Sequence, residues 1–280
     1  MIAVTHNGIF HADEVFAIAL LQKFYGITLH MNEEQMFMEV TDQQKRLDVI
    51  RTRANVILTP ALKNKNIYVV DVGGELDNTK CNYDHHQNRN LVASNMLVLE
   101  DLYITGRIDT IVFYKINKLM KGVSNMDCNV DSIHKSWSKW NDKGLYKNLS
   151  SILTGFNRNP GNETAQNRQF ALAVEFAVQI LDNEEYRAVQ EHNAKVVYAS
   201  KKVLTNNVAV FDEYCAIWKE KDEHMFVVQP NSQGWSVTSK DSSKYPLMEA
   251  SSEDLIFLHK NLFVAVFKTK TAAIEYASEL

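Results

Sequence analysis

The stretch Ile2-Ala3-Val4-Thr5-His6-Asn7-Gly8-Ile9-Phe10-His11-Ala12-Asp13-Glu14 decides the reading of this chain. A β-branched run ends in a turn that carries three potential metal ligands, His6, His11 and Asp13, and helical sequence follows from about Asp13 to Tyr25. A second segment repeats the design. The apolar run Ile67-Tyr68-Val69-Val70 delivers Asp71 before Val72-Gly73-Gly74, and a short polar loop leads to Asp84-His85-His86-Gln87. Open α/β sheets collect ligands beyond the carboxyl ends of their parallel strands, and both clusters fall at such ends. A carboxylate there, such as Asp71, is costly unless a cation or several donors hold it. Nitrogen and oxygen ligands without cysteine disfavour a structural zinc knot. They suit manganese first, with magnesium or catalytic zinc as alternatives.

Working outward, the alternation of strand and helix predicts a parallel sheet, with strands at Val49-Ile50, Val56-Ile57-Leu58 and Ile67-Val72. After Gln87 apolar periodicity predicts helices through Met96-Leu97, Leu99, Leu102 and Tyr103, then through Ile111, Tyr114, Ile116 and Leu119. Asn157-Arg158-Asn159-Pro160-Gly161-Asn162 is the clearest breaker. It divides an expected metal-binding domain, 1–160, from a domain of 161–280. The second begins with a long helix from Glu163 to about Leu204 and continues as a smaller α+β region, with strands at Val208–Phe211, Cys215–Trp218, Met225–Gln229, Trp235–Thr238, Ile256–His259 and Phe263–Phe267 and a closing helix from Thr271.

Composition narrows the class. The 280 residues are 45% hydrophobic, enough for a sizeable core. No run of roughly 18 apolar residues exists to span a membrane, and no apolar signal core precedes the first motif, so a soluble protein of the cytoplasm is expected. Three scattered cysteines, Cys81, Cys128 and Cys215, agree with a reducing compartment. A net charge of −4 excludes a strongly basic nucleic-acid footprint. Nucleic-acid contacts would be local. Candidates are Lys115, Lys118 and Lys121, then Lys135, Lys139, Lys143 and Lys147 with Trp137 and Trp140 interleaved, although a solvated helix face explains them better.

Three quoted stretches, Thr5-His6-Asn7-Gly8-Ile9-Phe10-His11-Ala12-Asp13-Glu14, Val69-Val70-Asp71-Val72-Gly73-Gly74 and Tyr83-Asp84-His85-His86-Gln87, carry a resemblance to the DHH phosphoesterases, and within them to the family of the melanocyte proliferating gene protein. Weaker likeness extends through Val49–Arg53, Asn148–Leu153 with Asn159-Pro160, and Ile256–His259. The resemblance implies a DHH-like domain followed by a long helix and a substrate-binding domain. It also implies a manganese-dependent phosphodiester hydrolase, a 3′-to-5′ exonuclease on RNA or short oligonucleotides, using two metals per chain to activate a bridging water. Such pairs, roughly 3.5–4 Å apart, also neutralise charge on the attacking and leaving oxygens. The alternative is a catalytically weakened protein of the same fold that binds metal or nucleotide. Self-association into a homo-oligomer stays open.

Carried over by motif, the resemblance assigns His6 and His11 to one metal, Asp13 and His85 to the other, and Asp71 to both. His86 orients a ligand or touches the scissile phosphate. Catalytic roles fall to Asp71 and His86. The fourth acidic motif of the family matches loosely at Met126–Ser132, where Asp127 is the expected last ligand of the first metal and Asp131 its support. Arg51 and Arg53, flanking Thr52, are candidates for gripping substrate phosphate, and surface salt bridges are the competing reading. The family's C-terminal Gly-Gly-His turn is replaced by Phe263-Val264-Ala265-Val266-Phe267-Lys268. There Lys268 is a substrate-binding candidate, while Phe267 either stacks on a base or packs the core.

Overall fold

The computed structural model describes residues 1–33, 45–128, 148–221 and 223–280. It is a mixed α/β structure with parallel strands and one long helix. Its contacts fall into two compact units, Met1–Tyr186 and Arg187–Leu280.

The first unit is built on a six-stranded sheet. Strand β1 (Ile2–Thr5) leads to helix α1 (Ala12–Tyr25), β2 (Thr28–Met31), β3 (Arg46–Arg51), α2 (Asn55–Leu62) and β4 (Ile67–Val70). Two short strands follow, β5 (Leu76–Asp77) and β6 (Asn82–Tyr83). Their order is β2-β3-β1-β4-β6-β5, parallel except for β5 against β6. From β1 the chain moves outward to β2, returns through β3, and then crosses to β4 on the other flank of β1. The direction of winding therefore reverses between β1 and β4, and that reversal opens the crevice where ligands bind in doubly wound sheets.

One expected strand is a helix. Val56, Ile57 and Leu58 lie in α2, because parallel β3 and β4 need a crossover between them, and a helix closes it while satisfying its own backbone. β-Branching is a weak preference against that constraint. Val56 is exposed, while Leu58 and Ala61, three residues apart on one helical face, join Val4, Ile50, Ile67 and Val69 in the core. Helix α3 (Ser94–Ile104) and α4 (Thr110–Asp127) pack with α1 on the sheet, followed by α5 (Leu149–Thr154). The 37-residue α6 (Glu163–Ala199) begins after the 157–162 breaker, where Asn162 caps it by accepting from the Ala165 N–H at 3.0 Å. Among the described residues no helix is long and apolar enough to cross a membrane.

In the second unit β7 (Lys202–Val203), β8 (Val208–Val210), β9 (Phe226–Asn231), β10 (Gly234–Ser239), β11 (Leu255–Leu258) and β12 (Val264–Phe267) form a sheet of order β11-β12-β10-β9-β8-β7. Helix α7 (Trp218–Lys221) lies between β8 and β9, and α8 (Lys270–Ala277) packs on the sheet. The strand expected at Cys215–Trp218 is not formed. Cys215 and Trp218 are buried under Phe211 and Val227, and Trp218 opens α7, so apolar burial rather than strand pairing explains the run. Phe267 settles its own alternatives. It is 1% exposed, its ring tilted against Tyr276 at 5.1 Å within the core of Val228, Val237 and Ala273, so it packs the core.

Candidate metal centre

His6 follows β1 and Asp71 follows β4, so the two motifs meet across the crevice. Asp71 sits at the centre. Its carboxylate lies 3.4 Å from His6 Nε2, 3.2 Å from His85 Nε2 and 3.6 Å from His86 Nδ1, and Ser94 Oγ at the start of α3 donates to it at 3.1 Å. The backbone turns left-handed to achieve this. Asp71 has φ 57°, a conformation that non-glycine residues keep only when their surroundings enforce it. Gly73 follows at φ 102°, where a side chain would also strike Leu62 at 2.9 Å. The glycine pair thus serves a turn that aims Asp71, as a lone Gly-Gly without a phosphate-loop frame suggests.

His11 caps α1 through its backbone. Its N–H donates to both Glu14 oxygens at 2.9 Å, and Glu14 Oε1 also lies 2.9 Å from His6 Nε2. Glu14 was visible only as the end of a motif, yet it joins His6, His11 and Asp71 as four ligand atoms able to share one ion. A second grouping contains His11, Asp13 and Asp127, a third Asp71, His85 and His86, and a fourth His85, Asp127 and Cys128. Asp127 ends α4, with one oxygen 3.3 Å from His85 Nε2 and the other 4.0 Å from His11 Nδ1. It therefore stands between the two ligand sets instead of belonging only to that of His6. Asp131 lies outside the described residues.

The charge arrangement asks for cations. Asp13 is fully buried, and neither of its carboxylate oxygens has a hydrogen-bond partner; His85 Nε2 is likewise unpartnered. Burial, then the Asp71, Glu14 and Asp127 charges, push the Asp13 carboxyl well above its ordinary range. Burial raises Asp127 too, aided by the Asp71 charge. Asp71 goes the other way: burial opposes its ionisation, but the adjacent His6 and His85 imidazoles hold it below the usual carboxylate range. Burial alone would lower the His6 imidazole, yet Asp71 and Glu14 raise it to about 10. Buried carboxylates of this number are stable only when protonated or metal-bound, and the hard oxygen and borderline imidazole donors fit divalent manganese, magnesium or zinc.

Polar braces hold the ligand loop. Asn157 accepts from the Phe10 N–H at 3.0 Å and donates to the Phe10 carbonyl at 2.8 Å, and Gln166 donates to the same Asn157 oxygen. Arg51 belongs to this bracing. Its guanidinium, 2% exposed, donates to the Gly8 carbonyl at 2.8 Å and to Asn167 at 3.2 Å, between the Phe10 and Phe170 rings. A phosphate-gripping role needs free donors at a surface, and burial between two aromatic rings removes them. Arg53 is exposed in the loop after β3. Lys268 is exposed in the second unit and donates to the Glu253 carbonyl at 2.6 Å.

His86 is 62% exposed, with Nδ1 held by Asp84 at 2.7 Å. Asp84 also accepts the Gly74 N–H at 2.6 Å, tying the two loops together. Cys128 was missed because a lone cysteine carries no spacing signal; its Sγ lies 3.9 Å from His85 Nδ1 and 3.7 Å from the Leu91 carbonyl. Lys118 and Lys121 line the exposed side of α4, while Lys135, Lys139, Lys143, Lys147, Trp137 and Trp140 lie outside the described residues.

Comparison with known proteins shows what the chain is similar to. A family profile described as Uncharacterised protein family (UPF0160), MYG1_exonuc, matches residues 2–98, which hold the clustered groups except Asp127 and Cys128. A MYG1 protein of Chlamydia pneumoniae is 28% identical over 180 residues, 63% of this chain and 51% of its own length. The match thus spans about half of that relative. A MYG1 protein of Chlamydia trachomatis is 25% identical over 97% of this chain and 93% of its own length. The Homo sapiens protein named MYG1 exonuclease is 35% identical over 83 residues, 30% of this chain and 16% of its own.

Proposed function

We propose that this chain is a metal-dependent phosphodiester hydrolase of the DHH type, acting as an exonuclease on RNA or short oligonucleotides with two manganese ions. The observation that carries the proposal is Asp13, a fully buried carboxylate with both oxygens unpartnered, facing imidazoles and acids from two strand ends. The exonuclease name of the human relative supports a nucleic-acid substrate.

In this reading His6, His11, Glu14 and Asp71 hold one ion, Asp13, Asp71 and His85 the other, and Asp127 lies within reach of both sets. When bound, such a pair supplies Lewis acidity and lowers the pKa of water at neutral pH. The chain itself contributes position. Ser94 fixes one oxygen of Asp71, the Asn157 brace fixes the loop between His6 and His11, and Asp84 turns the His86 ring so that its Nε2 is the group offered to a substrate oxygen. Deep burial of Asp13 and Asp71 keeps solvent from competing for their oxygens.

A second reading, metal-dependent capture of a nucleotide without hydrolysis, is favoured by the C-terminal strand, where Phe267 is committed to the core and no Gly-Gly-His turn is present. One experiment separates the two. Manganese titration should give about two sites per chain, and the loaded protein should release mononucleotides from a short RNA; two filled sites with RNA left intact would select the binding reading, and failure to bind manganese would defeat both.

A further inference from the structure

We infer that Arg89 is the phosphate-recognising residue of this site, gripping the anionic group of a nucleic-acid substrate beside the metal ligands. The inference rests on the hydrolase reading for the nature of the substrate, but its geometry is independent. A cavity of about 500 Å³ opens next to the proposed ligands and is lined by His85, His86, Arg89, Leu91, Asp127 and Cys128. Its lining therefore includes groups placed at the metal centre. The same lining includes Arg89, a cation that is exposed and makes no hydrogen bond or ion pair with the described residues.

The loop that presents Arg89 is shaped in advance. Asn88 N–H donates to the His85 carbonyl at 3.1 Å, the Asn88 side chain accepts from Asn90 N–H at 3.0 Å, and Leu91 N–H returns to the Asn88 carbonyl at 3.0 Å. These bonds fold residues 85–91 into a compact turn with Arg89 at its tip. A guanidinium held there offers a planar fork of donors, matched to two oxygens of one phosphate. Of the two arginines expected to do this work, Arg51 has its donors turned inward to Gly8 and Asn167, and Arg53, exposed in the loop after β3, does not line this cavity. Chemistry around the cavity points to the same ligand. The Arg89 cation, the exposed His86 ring and the apolar Leu91 suit an anion attached to an uncharged body, which is the character of a nucleotide. Asp127 in the lining would repel such an anion, and Arg89 in the same lining offsets that repulsion.

The test compares wild type with Arg89→Gln and Arg89→Lys, all loaded with manganese, using two dinucleotide probes. One has a charged, non-hydrolysable phosphonate linkage and the other a neutral methylphosphonate linkage. Arg89→Gln should weaken binding of the charged probe by roughly tenfold or more, the size of one charge-assisted hydrogen bond. Arg89→Lys should recover part of that loss, while the neutral probe, the manganese titration and the melting temperature stay unchanged. Equal binding of the charged probe by wild type and Arg89→Gln overturns the assignment, as does an equal loss for both probes. The fate of the hydrolase reading is seen separately. If Arg89 governs the charged probe but wild type releases no mononucleotides from RNA, recognition stands and hydrolysis falls; if RNA is degraded equally well by Arg89→Gln, with the same Michaelis constant, hydrolysis stands and Arg89 falls.

Discussion

In the Arg187–Leu280 unit the buried polar side chains find partners at home: Gln229 accepts from the Cys215 N–H at 3.0 Å, Ser236 donates to the Gln229 carbonyl at 3.1 Å, and Ser239 donates to the Tyr245 carbonyl at 2.6 Å. At the carboxyl ends of β1 and β4 the opposite holds. Thr5, Asp13, Arg51 and His85 each keep at least one buried polar atom unpartnered among the described residues, and Asp71 keeps a left-handed backbone. One region has completed its interactions and can be judged as packing. The other holds stored electrostatic cost, which makes sense only if something outside the chain removes it. Perturbing the two regions should therefore give different kinds of result.

The largest effect belongs to the completed region. Phe267→Ala should cost about 3–5 kcal/mol by leaving a cavity among Val228, Val237, Ala273 and Tyr276. Thermal or denaturant unfolding would measure it. Manganese affinity per folded molecule should not change. A loss of affinity without a loss of stability would mean that Phe267 serves the site after all, and the contrast between the regions would break there.

Asp71→Asn should act in the reverse sense. Asparagine tolerates the left-handed backbone, so the fold survives, but the charge facing three imidazoles disappears. Manganese affinity should fall by more than about a hundredfold, exceeding the loss typical of outer-shell partners. Hydrolysis should fall with it. An Asp71→Asn protein that binds manganese as wild type does would remove the central ligand from the scheme.

The comparison sharpens further with pH and metal removal. Asp13 has a folded value above its unfolded one, so its contribution in the metal-free protein is complete below about pH 4 and is lost as pH rises through the raised value. His6, raised to about 10, contributes fully below about pH 6.5 and loses that contribution as pH approaches 10. Asp71, held low, stays ionised above pH 5 and adds little slope there. Metal-free protein should thus lose stability from pH 5 to pH 9, and Asp13→Asn should flatten the curve and be the more stable form at pH 7. Manganese should reverse the order, adding about 2.7 kcal/mol to wild type at a hundredfold excess over its dissociation constant. Binding should also release protons, because a ligating His6 must be neutral; calorimetry in two buffers of different ionisation enthalpy would count them. Hydrogen exchange should slow within residues 1–186 on loading and stay constant within 187–280. A uniform slowing, or a steeper pH curve in Asp13→Asn, would contradict this division.

How much of this was legible in the sequence depended on the kind of signal. His6, His11, Asp13, Asp71 and His85 were readable because strand-end placement and motif spacing coincide, and the structure brings them together. Val56-Ile57-Leu58 misled because local β-propensity says nothing of the crossover that β3 and β4 require. Arg51 misled for a similar reason. Its sequence position after a strand marks the right crevice, but only the packing of Phe10 and Phe170 shows that the guanidinium turns inward. Glu14 and Ser94 read as ordinary helix-start residues, which they also are, and no pattern announces that their side chains touch His6 and Asp71 as well.

Cys128 is the residue least visible beforehand, and it gives the smallest effect. His85 turns Nε2 toward Asp71, Asp13 and Asp127, so a ligating His85 must keep that nitrogen unprotonated and carry its hydrogen on Nδ1. The Cys128 sulfur, 3.9 Å away, accepts that hydrogen, while its own S–H is directed to the Leu91 carbonyl at 3.7 Å. Removing the sulfur leaves the wrong tautomer free to form. Cys128→Ala should therefore weaken one of the two manganese sites by about tenfold, the low end of outer-shell effects, with Cys128→Ser between it and wild type. Because thiols are weak hydrogen-bonding groups and this one is half-buried, stability should change by less than the Phe267 variant by several fold. Calorimetric titration resolves the two sites; equal affinity of both sites in Cys128→Ala and wild type would show that the thiol merely fills space, and His85 would then owe its orientation to the three carboxylates alone.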